Sequence, residues 1–363
     1  MKDTERELAA GQLQNESVTR TYRAIISRRV LAIAVLAAAI ILLAAVAVTL
    51  GSADLTVSEV YIAIFSRFFP GSLSTDPLTS TIVWDFRLHR VIFAVLAGFG
   101  LAVAGAMMQG VLRNPLASPF TLGIASAATF GAAIAIVFLP PLFDGDLVLV
   151  ACAFSASLLA TAAIYGLSRY RGMSAESMVL AGIILMYLFG AITSFLQYTG
   201  STEQLQAVVF WMFGSLQQTS WLKCGIVGIV LGISVPYVIL KAWDFNALTM
   251  GDQVARSLGV RVERTRTIHM FIASLITASI ICFTGTIGFI GLVSPHITRL
   301  ALGGDHRYLL VASGLIGALI LLLADSLART ILAPTIIPVG IMTAFIGIPF
   351  FLYLFLRRKE EYW

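Results

Sequence analysis

Arg87, Arg90 and Arg329 are the residues of this apolar chain whose type and spacing are suited to polar chemistry. Arg87 and Arg90 are three residues apart, so they share one face of a helix. From periodicity alone, that face is an anchor whose side chains reach toward lipid headgroups. Arg329 follows Asp325 by four residues, which is the spacing of an ion pair within one helix. The chemistry predicted here is charge pairing, without a covalent step.

Motifs for catalysis and metal binding are missing from the sequence. We find no GxxxxGK[ST] phosphate loop, no HExxH, no GxSxG and no paired acidic motif for magnesium and a diphosphate. His296 has no second ligand at a workable spacing, because His269 belongs to a different element. Cys152, Cys224 and Cys282 each stand alone in or beside an apolar run. We therefore predict no catalytic residue, no metal site and no cofactor on this chain, and any ATP and Mg would have to be bound by another polypeptide.

The composition is that of a polytopic membrane protein. Of the 363 residues, 58% are hydrophobic and only 12% are charged, and the mean hydropathy is +0.92. Charged residues normally make up about a quarter of a globular domain, so one soluble core could not bury this much apolar surface. The net charge of +5 is spread over short loops, which is typical of topology signals and not of nucleic-acid binding. We expect a cell-membrane location, with lipid and no nucleic acid as partners.

Ten apolar runs are candidates to cross the roughly 30 Å hydrocarbon core. They lie near 30–50, 89–109, 118–139, 147–167, 176–199, 221–240, 267–286, 291–303, 308–328 and 336–356. The short run 291–303 also reads as part of one long kinked helix, which would give nine spans. Ten spans with the N-terminus inside divide the 24 basic residues into 19 inside and 5 outside, whereas nine would expel the last Arg-Arg-Lys cluster. The sequence therefore predicts an all-α membrane protein of about ten helices, with both termini cytoplasmic.

Two of the predicted loops are too long to be simple connectors. The outer loop, 51–86, has amphipathic stretches around 57–69 that are suited to the membrane surface. The inner loop, 241–266, predicts short helices, with Gly259 where a helix should end. We divide the chain into a cytoplasmic N-terminal tail at 1–29, a transmembrane domain at 30–357 and a cytoplasmic tail at 358–363.

Four segments interrupt the apolar runs with charges, glycines and prolines. They are Arg87-Leu88-His89-Arg90, Gln109-Gly110-Val111-Leu112-Arg113-Asn114-Pro115-Leu116-Ala117-Ser118-Pro119, Ala255-Arg256-Ser257-Leu258-Gly259-Val260 and Gly288-Phe289-Ile290-Gly291-Leu292-Val293-Ser294-Pro295-His296-Ile297-Thr298-Arg299. Together they resemble the permease subunits of ABC importers for iron-siderophores, cobalamin and haem, the FecCD family. The resemblance extends over residues 85–363.

The resemblance implies a docking role for Arg87, Arg90 and Arg329. In this family, arginines at these places receive acidic side chains of an extracytoplasmic substrate-binding protein. Arg329 precedes Pro338-Val339-Gly340 by nine residues, as the family's third arginine precedes a Pro-Ile-Gly-type segment. His89 replaces the family's proline, which loosens the local geometry but leaves both neighbouring guanidinium groups available. Exposed charge pairs contribute about 0–1 kcal/mol each, so these would serve docking register and encounter rate.

The resemblance also implies that 244–262 forms coupling helices, which enter a cleft on the ATPase subunit. A solvated amphipathic loop has a similar composition, but the run Ala255–Val260 matches the family closely and favours coupling helices. Gly251 and Gly259 would permit the turn between two short helices. The implied coupling residues are Gly251, Asp252, Ala255, Arg256, Leu258 and Gly259.

The segment 285–299 has two interpretations. Glycines promote close packing of a kinked helix pair. Non-helical backbone within a membrane must also be buried in protein or face water, so a broken helix indicates the translocation path.

The segment 109–119 needs only to be a tight turn, because Asn114 before proline disfavours helix. Glu176 either lines the inner exit or faces water at a helix start. The residues assigned to the path or broken helix are Gln109, Asn114, Gly288, Gly291 and Pro295.

The implied assembly is a homodimer or close heterodimer of permeases, with two cytosolic ATPase subunits and an external binding protein. ATP-driven closure would move the coupling helices and switch access to a central path. The expected substrate is a metal chelate, first a ferric siderophore, with cobalamin, haem or molybdate as alternatives. An ion-coupled secondary transporter is the rival class, and it would place ionisable residues near the membrane midplane. Only Asp325 comes close to such a position.

Overall fold

The structure is a computed structural model that describes residues 2–51, 53–69, 74–139 and 145–356, with side chains for all of these except 2–22, 145, 354 and 355. Within these ranges every regular element is a helix. The helices are α1 Lys2–Thr49, α2 Val57–Ser66, α3 Pro77–Ile82, a π-helix Val83–Leu88, α4 His89–Leu112, α5 Ile124–Phe138, α6 Gly145–Tyr170, α7 Ala175–Thr199, α8 Thr202–Met212, α9 Trp221–Leu240, α10 Ala242–Thr249, α11 Asp252–Ser257, α12 Val262–Thr284, α13 Ile290–Leu302, α14 His306–Thr330 and α15 Val339–Leu356. The prediction of an all-α membrane protein is confirmed.

Seven helices in the described ranges are long and apolar enough to cross a membrane. They are Arg23–Thr49, Pro77–Leu112, Asp146–Tyr170, Ala175–Thr199, Trp221–Leu240, Val262–Thr284 and His306–Thr330. The other three predicted spans are also helical but shorter, since α5 has 15 residues, α13 has 13 and α15 has 18. The count of ten and the sides of the termini therefore stay predictions. The predicted tail at 358–363 lies outside the described residues.

Two predicted span starts differ in the structure. Helix α1 is continuous from Lys2 through the predicted border at 29, and the division into tail and membrane domain stays a prediction. Helix α5 begins at Ile124 and not at 118, because 118–123 forms turns that end at Gly123, with φ of 75°. The second span begins at Pro77, where Asp76 accepts hydrogen bonds from two free N–H groups of α3. Consequently α3, the π-helix and α4 form one continuous helical stretch.

Helix α4 lies at the centre of the bundle and contacts α9, α12, α13 and α14. Two glycine pairs set its distance from its neighbours. A Cβ atom at Gly98 would overlap the carbonyl oxygen of Gly317 on α14, and one at Gly105 would overlap that of Gly291 on α13. Backbones this close are typical of small-residue helix contacts in membranes. The broken-helix residue Gly291 therefore serves packing against α4.

The long predicted loops contain helices, as expected. Helix α2 begins with a capping box formed by Thr56 and Glu59, and exposes Val57, Ile62 and Phe65. The inner loop forms α10 and α11, and Gly259 follows the end of α11 with φ of 85°. We call the end of the bundle that carries α10 and α11 the coupling end, and the other end the opposite end.

Candidate transport site

The three predicted docking arginines lie at the opposite end, and two of them share a single carboxylate. Asp325 of α14 is fully buried, and Arg90 of α4 donates to its Oδ1 from Nε at 2.9 Å and from Nη2 at 2.7 Å. Arg329, one turn later on α14, lies 3.0 Å from Asp325 Oδ2, so the predicted ion pair is present. Arg87 adds a third guanidinium group from the π-helix. We call these four residues the arginine cluster.

Two arginines of the cluster bind the end of α1. Arg87 donates from Nη1 to the carbonyl oxygen of Thr49 at 2.9 Å and from Nη2 to that of Ala53 at 2.6 Å. Arg329 donates to the carbonyl oxygens of Leu50 at 2.8 Å and of Ala47 at 3.1 Å. The last carbonyls of a helix lack partners within it and carry partial negative charge. The cluster therefore caps α1 and holds it to α4 and α14.

The expectation that the docking arginines are available to solvent is wrong for this subunit. Arg87, Arg90 and Arg329 are only 5%, 7% and 6% exposed. Sequence periodicity placed them beyond the end of a span, whereas the π-helix continues the helical stretch and turns Arg87 and Arg90 inward. His89 is buried too, with its Nδ1 3.2 Å from the hydroxyl oxygen of Thr219. The docking role itself stays a prediction.

The predicted broken helix is present between α12 and α13. Helix α12 ends at Thr284, Gly285 has φ of 70°, and α13 begins at Ile290. The interrupted backbone is held by neighbours, because the N–H of Ser215 donates to the carbonyl oxygen of Thr284 at 2.7 Å and the hydroxyl of Thr286 donates to that of Met212. Gly285, Thr286 and Ile287 are buried, so this part of the non-helical backbone is enclosed by protein, as a location within a membrane would require.

A cavity of about 460 Å³ lies between the broken helix and α15. Gly288 and Phe289 line it from one side, Phe120 from a second, and Gly340 and Phe345 from α15. Gly288 is a predicted path residue that borders this cavity. The walls of the cavity are mainly apolar and aromatic, with hydroxyl groups from Ser118, Thr121 and Thr286 and no charged side chain.

The other predicted path residues have structural roles in this subunit. Gln109 is 2% exposed, and its Oε1 accepts from Arg299 Nη1 and Nη2 at 3.4 and 3.3 Å, which joins α4 to α13. Asn114 forms a local turn, because its Oδ1 accepts from the N–H of Leu116 at 2.9 Å. Pro295 is buried within α13.

The predicted coupling residues divide into an inner and an outer set. Ala255 is fully buried against the bundle, and Asp252 is turned toward it. Arg256 and Leu258 are exposed, as is Gly259. Gly251 joins α10 to α11 with φ of 106°, a conformation that suits glycine. Met250, Val254 and Leu258 are exposed at four-residue spacing, and the polar side chains of Gln253, Arg256 and Ser257 are exposed beside them.

The inner side of α11 is bound to the bundle by ion pairs between Asp252 and two arginines. Arg266, in the second turn of α12, is 1% exposed and donates to Asp252 from Nη1 at 2.9 Å and from Nη2 at 2.7 Å. It also donates to the carbonyl oxygens of Val111 at 3.3 Å and Met173 at 3.4 Å. Arg113 of the α4 end lies 3.5 Å from Asp252. We call Arg266, Asp252 and Arg113 the coupling tether.

The electrostatics of the tether favour an ionised Asp252. Hydrogen bonds from Arg266, supported by the charges of Arg266 and Arg113, hold the pKa of Asp252 below its ordinary value, although partial burial opposes them. Arg266 of α12 therefore joins α11 to the end of α4, to the α6–α7 turn and to α12 itself.

A second polar link fastens α10. Asn246 donates from Nδ2 to Asp305 Oδ1 at 2.9 Å and accepts from the N–H of His306 at 2.9 Å. Partial burial raises the pKa of Asp305, but hydrogen bonds from Arg307 and Asn246 outweigh it and lower the pKa to about 2. Arg29 of α1 also pairs with Asp305 at 3.3 Å. Each coupling helix is therefore joined to a different pair of spans.

Sequence reasoning missed Arg266, Asn246 and Asp305. The seventh span was expected to start at 267, which put Arg266 in a solvated loop. The available signal is its spacing, since Arg266 shares a helix face with the buried His269 and Met270. Asn246 and Asp305 are 59 residues apart, and no local pattern reveals such a pair.

Metal binding has no geometric support in the part of the chain that the structure describes. There, no group of three or more His, Cys, Asp or Glu side chains is placed to hold an ion. His296 packs with Phe350 and Phe351, each at 6.3 Å between ring centroids. The prediction that His296 is a packing residue agrees with these contacts.

Known proteins with similar sequences and structures cover most of this chain. The FecCD transport family matches residues 34–357. A candidate ABC transporter permease protein of Methanocaldococcus jannaschii is 42% identical over 324 residues, which span 87% of this chain and 91% of that protein. The hemin transport system permease protein HmuU of Yersinia pestis is 39% identical over 283 residues, 77% of this chain and 84% of that protein.

A solved structure supports the same assignment. It is described as an inward-facing conformation of a candidate metal-chelate type ABC transporter, and it matches with a TM-score of 0.78 at 28% identity, over 90% of this chain and 99% of that one. The chain therefore belongs to the FecCD transport family and is a multi-pass membrane permease subunit of an ABC transporter, not an enzyme.

Proposed function

We propose that this protein is the permease of a binding-protein-dependent ABC importer for a metal chelate, with a ferric siderophore as the first candidate. The observation that carries the proposal is the coupling tether. It fixes the inner side of α11 to three other elements and leaves Leu258 and Met250 exposed on the outer side. An exposed apolar surface on a firmly anchored helix pair is suited to receive force from a partner ATPase.

The substrate class is supported by the relatives and by the cavity. HmuU is named for hemin transport, and the structural relative is described as metal-chelate type. The cavity between the broken helix and α15 has apolar and aromatic walls, which would let a bulky chelate pass without strong binding. Haem, cobalamin and molybdate are the alternatives on this scaffold, and molybdate fits these walls least because it is small and charged.

The proposed assembly has two copies of this permease, two cytosolic ATPases that bind ATP and Mg, and an extracytoplasmic binding protein. We propose that acidic side chains of the binding protein approach the arginine cluster. Because Arg87 and Arg329 already bind carbonyl oxygens of the α1 end, an incoming carboxylate would compete with those carbonyls. Docking would thereby loosen the end of α1 from α4 and α14.

An ion-coupled secondary transporter is the rival function. It needs an acid near the midplane that can bind and release the coupling ion. Asp325 is paired with both Arg90 and Arg329, so its carboxylate is already neutralised. This pairing favours the importer.

The test begins with what co-purifies with the full chain in mild detergent from its native membrane. We expect an ATPase subunit with a phosphate loop, and then ATP-dependent uptake of a radioactive ferric siderophore into vesicles that hold the complex and its binding protein. Haem, cobalamin and molybdate are the competing substrates in the same assay. Uptake that needs an ion gradient and proceeds without ATP would overturn the importer in favour of the secondary transporter.

A further inference from the structure

Two cavities meet between α6 and α12 at the coupling end. One, of about 380 Å³, lies at the helix ends, and the other, of about 370 Å³, lies deeper along the helices. Tyr165, Thr267 and Ile268 line both of them, so the two volumes adjoin. They form one groove with two chemically different parts, which we call the α6–α12 groove.

The deeper part of the groove is apolar. It is bordered on α6 by Leu158, Ala162 and Tyr165, which fall at spacings of four and three residues and share one helix face. Ile268 and Phe271 border it from α12. Phe271 is 50% exposed. An apolar groove between two membrane helices can bind an acyl chain.

The shallow part of the groove carries cationic groups. Arg169, in the last turn of α6, and Arg264, in the first turn of α12, both line it, together with Glu263. Neither arginine makes a side-chain hydrogen bond or ion pair within the ranges that the structure describes. Two guanidinium groups and one carboxylate leave this part positively charged, and it lies at the ends of two helices that are long and apolar enough to cross a membrane.

We propose that the α6–α12 groove binds one anionic phospholipid from the leaflet at the coupling end. Its phosphate lies between Arg169 and Arg264, where guanidinium groups offer paired donors to phosphate oxygens. One acyl chain runs along the apolar part beside Ala162 and Phe271. The combination of charge and apolar length selects an anionic phospholipid over a free phosphate or a neutral lipid.

The position of the groove ties this lipid to the coupling machinery. Met173 lines the shallow part, and its carbonyl oxygen accepts a hydrogen bond from Arg266. A headgroup seated there would therefore contact the same turn that the coupling tether holds. The proposed site does not depend on the identity of the transported substrate.

The first test counts lipids bound to the full chain, purified with its co-purifying partners, by native mass spectrometry after titration with phosphatidylglycerol or phosphatidylethanolamine of matched acyl chains. We expect phosphatidylglycerol to be retained preferentially. The Arg169→Gln/Arg264→Gln variant should weaken that retention by more than about tenfold. The control is Arg171→Gln/Arg261→Gln, which removes two exposed arginines outside the groove and should leave retention unchanged. Equal retention of the two lipids, or equal losses in both variants, would overturn the proposal.

The second test locates the acyl chain. A phosphatidylglycerol with a photoreactive group on its acyl chain should crosslink within 158–165 and 267–272, and Ala162→Phe should abolish these crosslinks by filling the groove. Ala162 is exposed, so this variant has room to fold. Crosslinks confined to other helices, or unchanged in Ala162→Phe, would contradict the site.

Discussion

The arginine cluster and the coupling tether both bury guanidinium groups on a carboxylate, at opposite ends of the same bundle. In the cluster, Arg90 and Arg329 share one acid, Asp325, and Arg87 and Arg329 bind carbonyl oxygens at the end of α1. In the tether, Arg266 binds Asp252 through two parallel hydrogen bonds. The second arginine of the tether, Arg113, has a side chain that is 36% exposed, so water can solvate its charge. The surplus positive charge is therefore buried at the cluster, where a further acid could bind it, and solvated at the tether.

This difference matches what each end is proposed to do. A surplus of cations satisfied only by carbonyls can exchange those partners for stronger carboxylates, so the cluster is suited to a reversible contact. A bidentate arginine–carboxylate pair fixes two elements in one geometry, so the tether is suited to pass on movement without loss. Glu176, for which the sequence leaves two roles open, is exposed in the first turn of α7.

The largest effect is expected from removing the charge of Asp325. The Asp325→Asn variant leaves two buried arginines without a counter-ion, and an uncompensated buried charge costs about 3–5 kcal/mol. We expect a strong fall in the yield of folded protein and in its melting temperature, measured by fluorescence-detected size exclusion in detergent. The control is Asp85→Asn, because Asp85 is exposed on the neighbouring π-helix. If both variants melt at the wild-type temperature, Asp325 does not hold the cluster together.

Arg266→Gln is expected to destabilise the protein less than Asp325→Asn does. It should have a larger effect on the coupling between ATP hydrolysis and transport. Asp252 is partly exposed and can be hydrated when its partner is removed, so the loss should be about 1.5–3 kcal/mol, the value of hydrogen bonds to charged groups. We expect ATP hydrolysis by the reconstituted complex to continue while substrate transported per ATP falls at least about tenfold. The measurement is parallel hydrolysis and uptake in the same vesicles.

A double-mutant cycle separates the tether from a general loss of packing. Asp252→Asn should uncouple transport as Arg266→Gln does, and combining them should add little, because both remove one interaction. Arg261→Gln, on the exposed start of α12, is the matched control and should stay coupled. Additive losses in the double variant would show that Arg266 acts through Val111 and Met173 and not through Asp252.

The sequence predicted the positions of the helices better than it predicted which charged side chains are buried. The apolar runs, the broken helix after Thr284 and the helix pair at 241–266 are local patterns, and all appear in the structure. The environment of Arg87 and Arg90 depends on a π-helix and on the distant end of α1, neither of which has a local signature. Gly291 was recognised as unusual, but only the structure shows that its role is contact with Gly105.

A moderate effect on α1 alone is expected from Arg87→Gln. The substitution removes charged hydrogen bonds to carbonyls that are close enough to water to be partly rehydrated, so we expect a loss of about 1–2 kcal/mol. Hydrogen exchange should rise in the last turns of α1 and stay unchanged in α14. Arg87→Lys should recover part of the protection, because an ammonium group reaches one carbonyl but lacks the planar fork. Protection that is unchanged in Arg87→Gln would mean that Arg329 caps α1 without help.

The smallest expected effect is the change of stability with pH. It reports on the coupling end alone, because Asp252 and Asp305 both lie there. Their pKa values are lowered in the folded protein, Asp305 to about 2, so their stabilisation is complete above the ordinary aspartate value of 3.8 and is lost as pH falls through the folded pKa. We therefore expect each of the two coupling-end links to contribute as much to the free energy of unfolding at pH 5 as it does at pH 8. The difference in melting temperature between wild type and Asp305→Asn should stay constant over that range and shrink only below about pH 4. If the difference in melting temperature already shrinks between pH 8 and pH 6, a group other than these two carboxylates controls the stability of the coupling end. The contrast between the tether and the exchangeable cluster would then depend on a third group that titrates in that range.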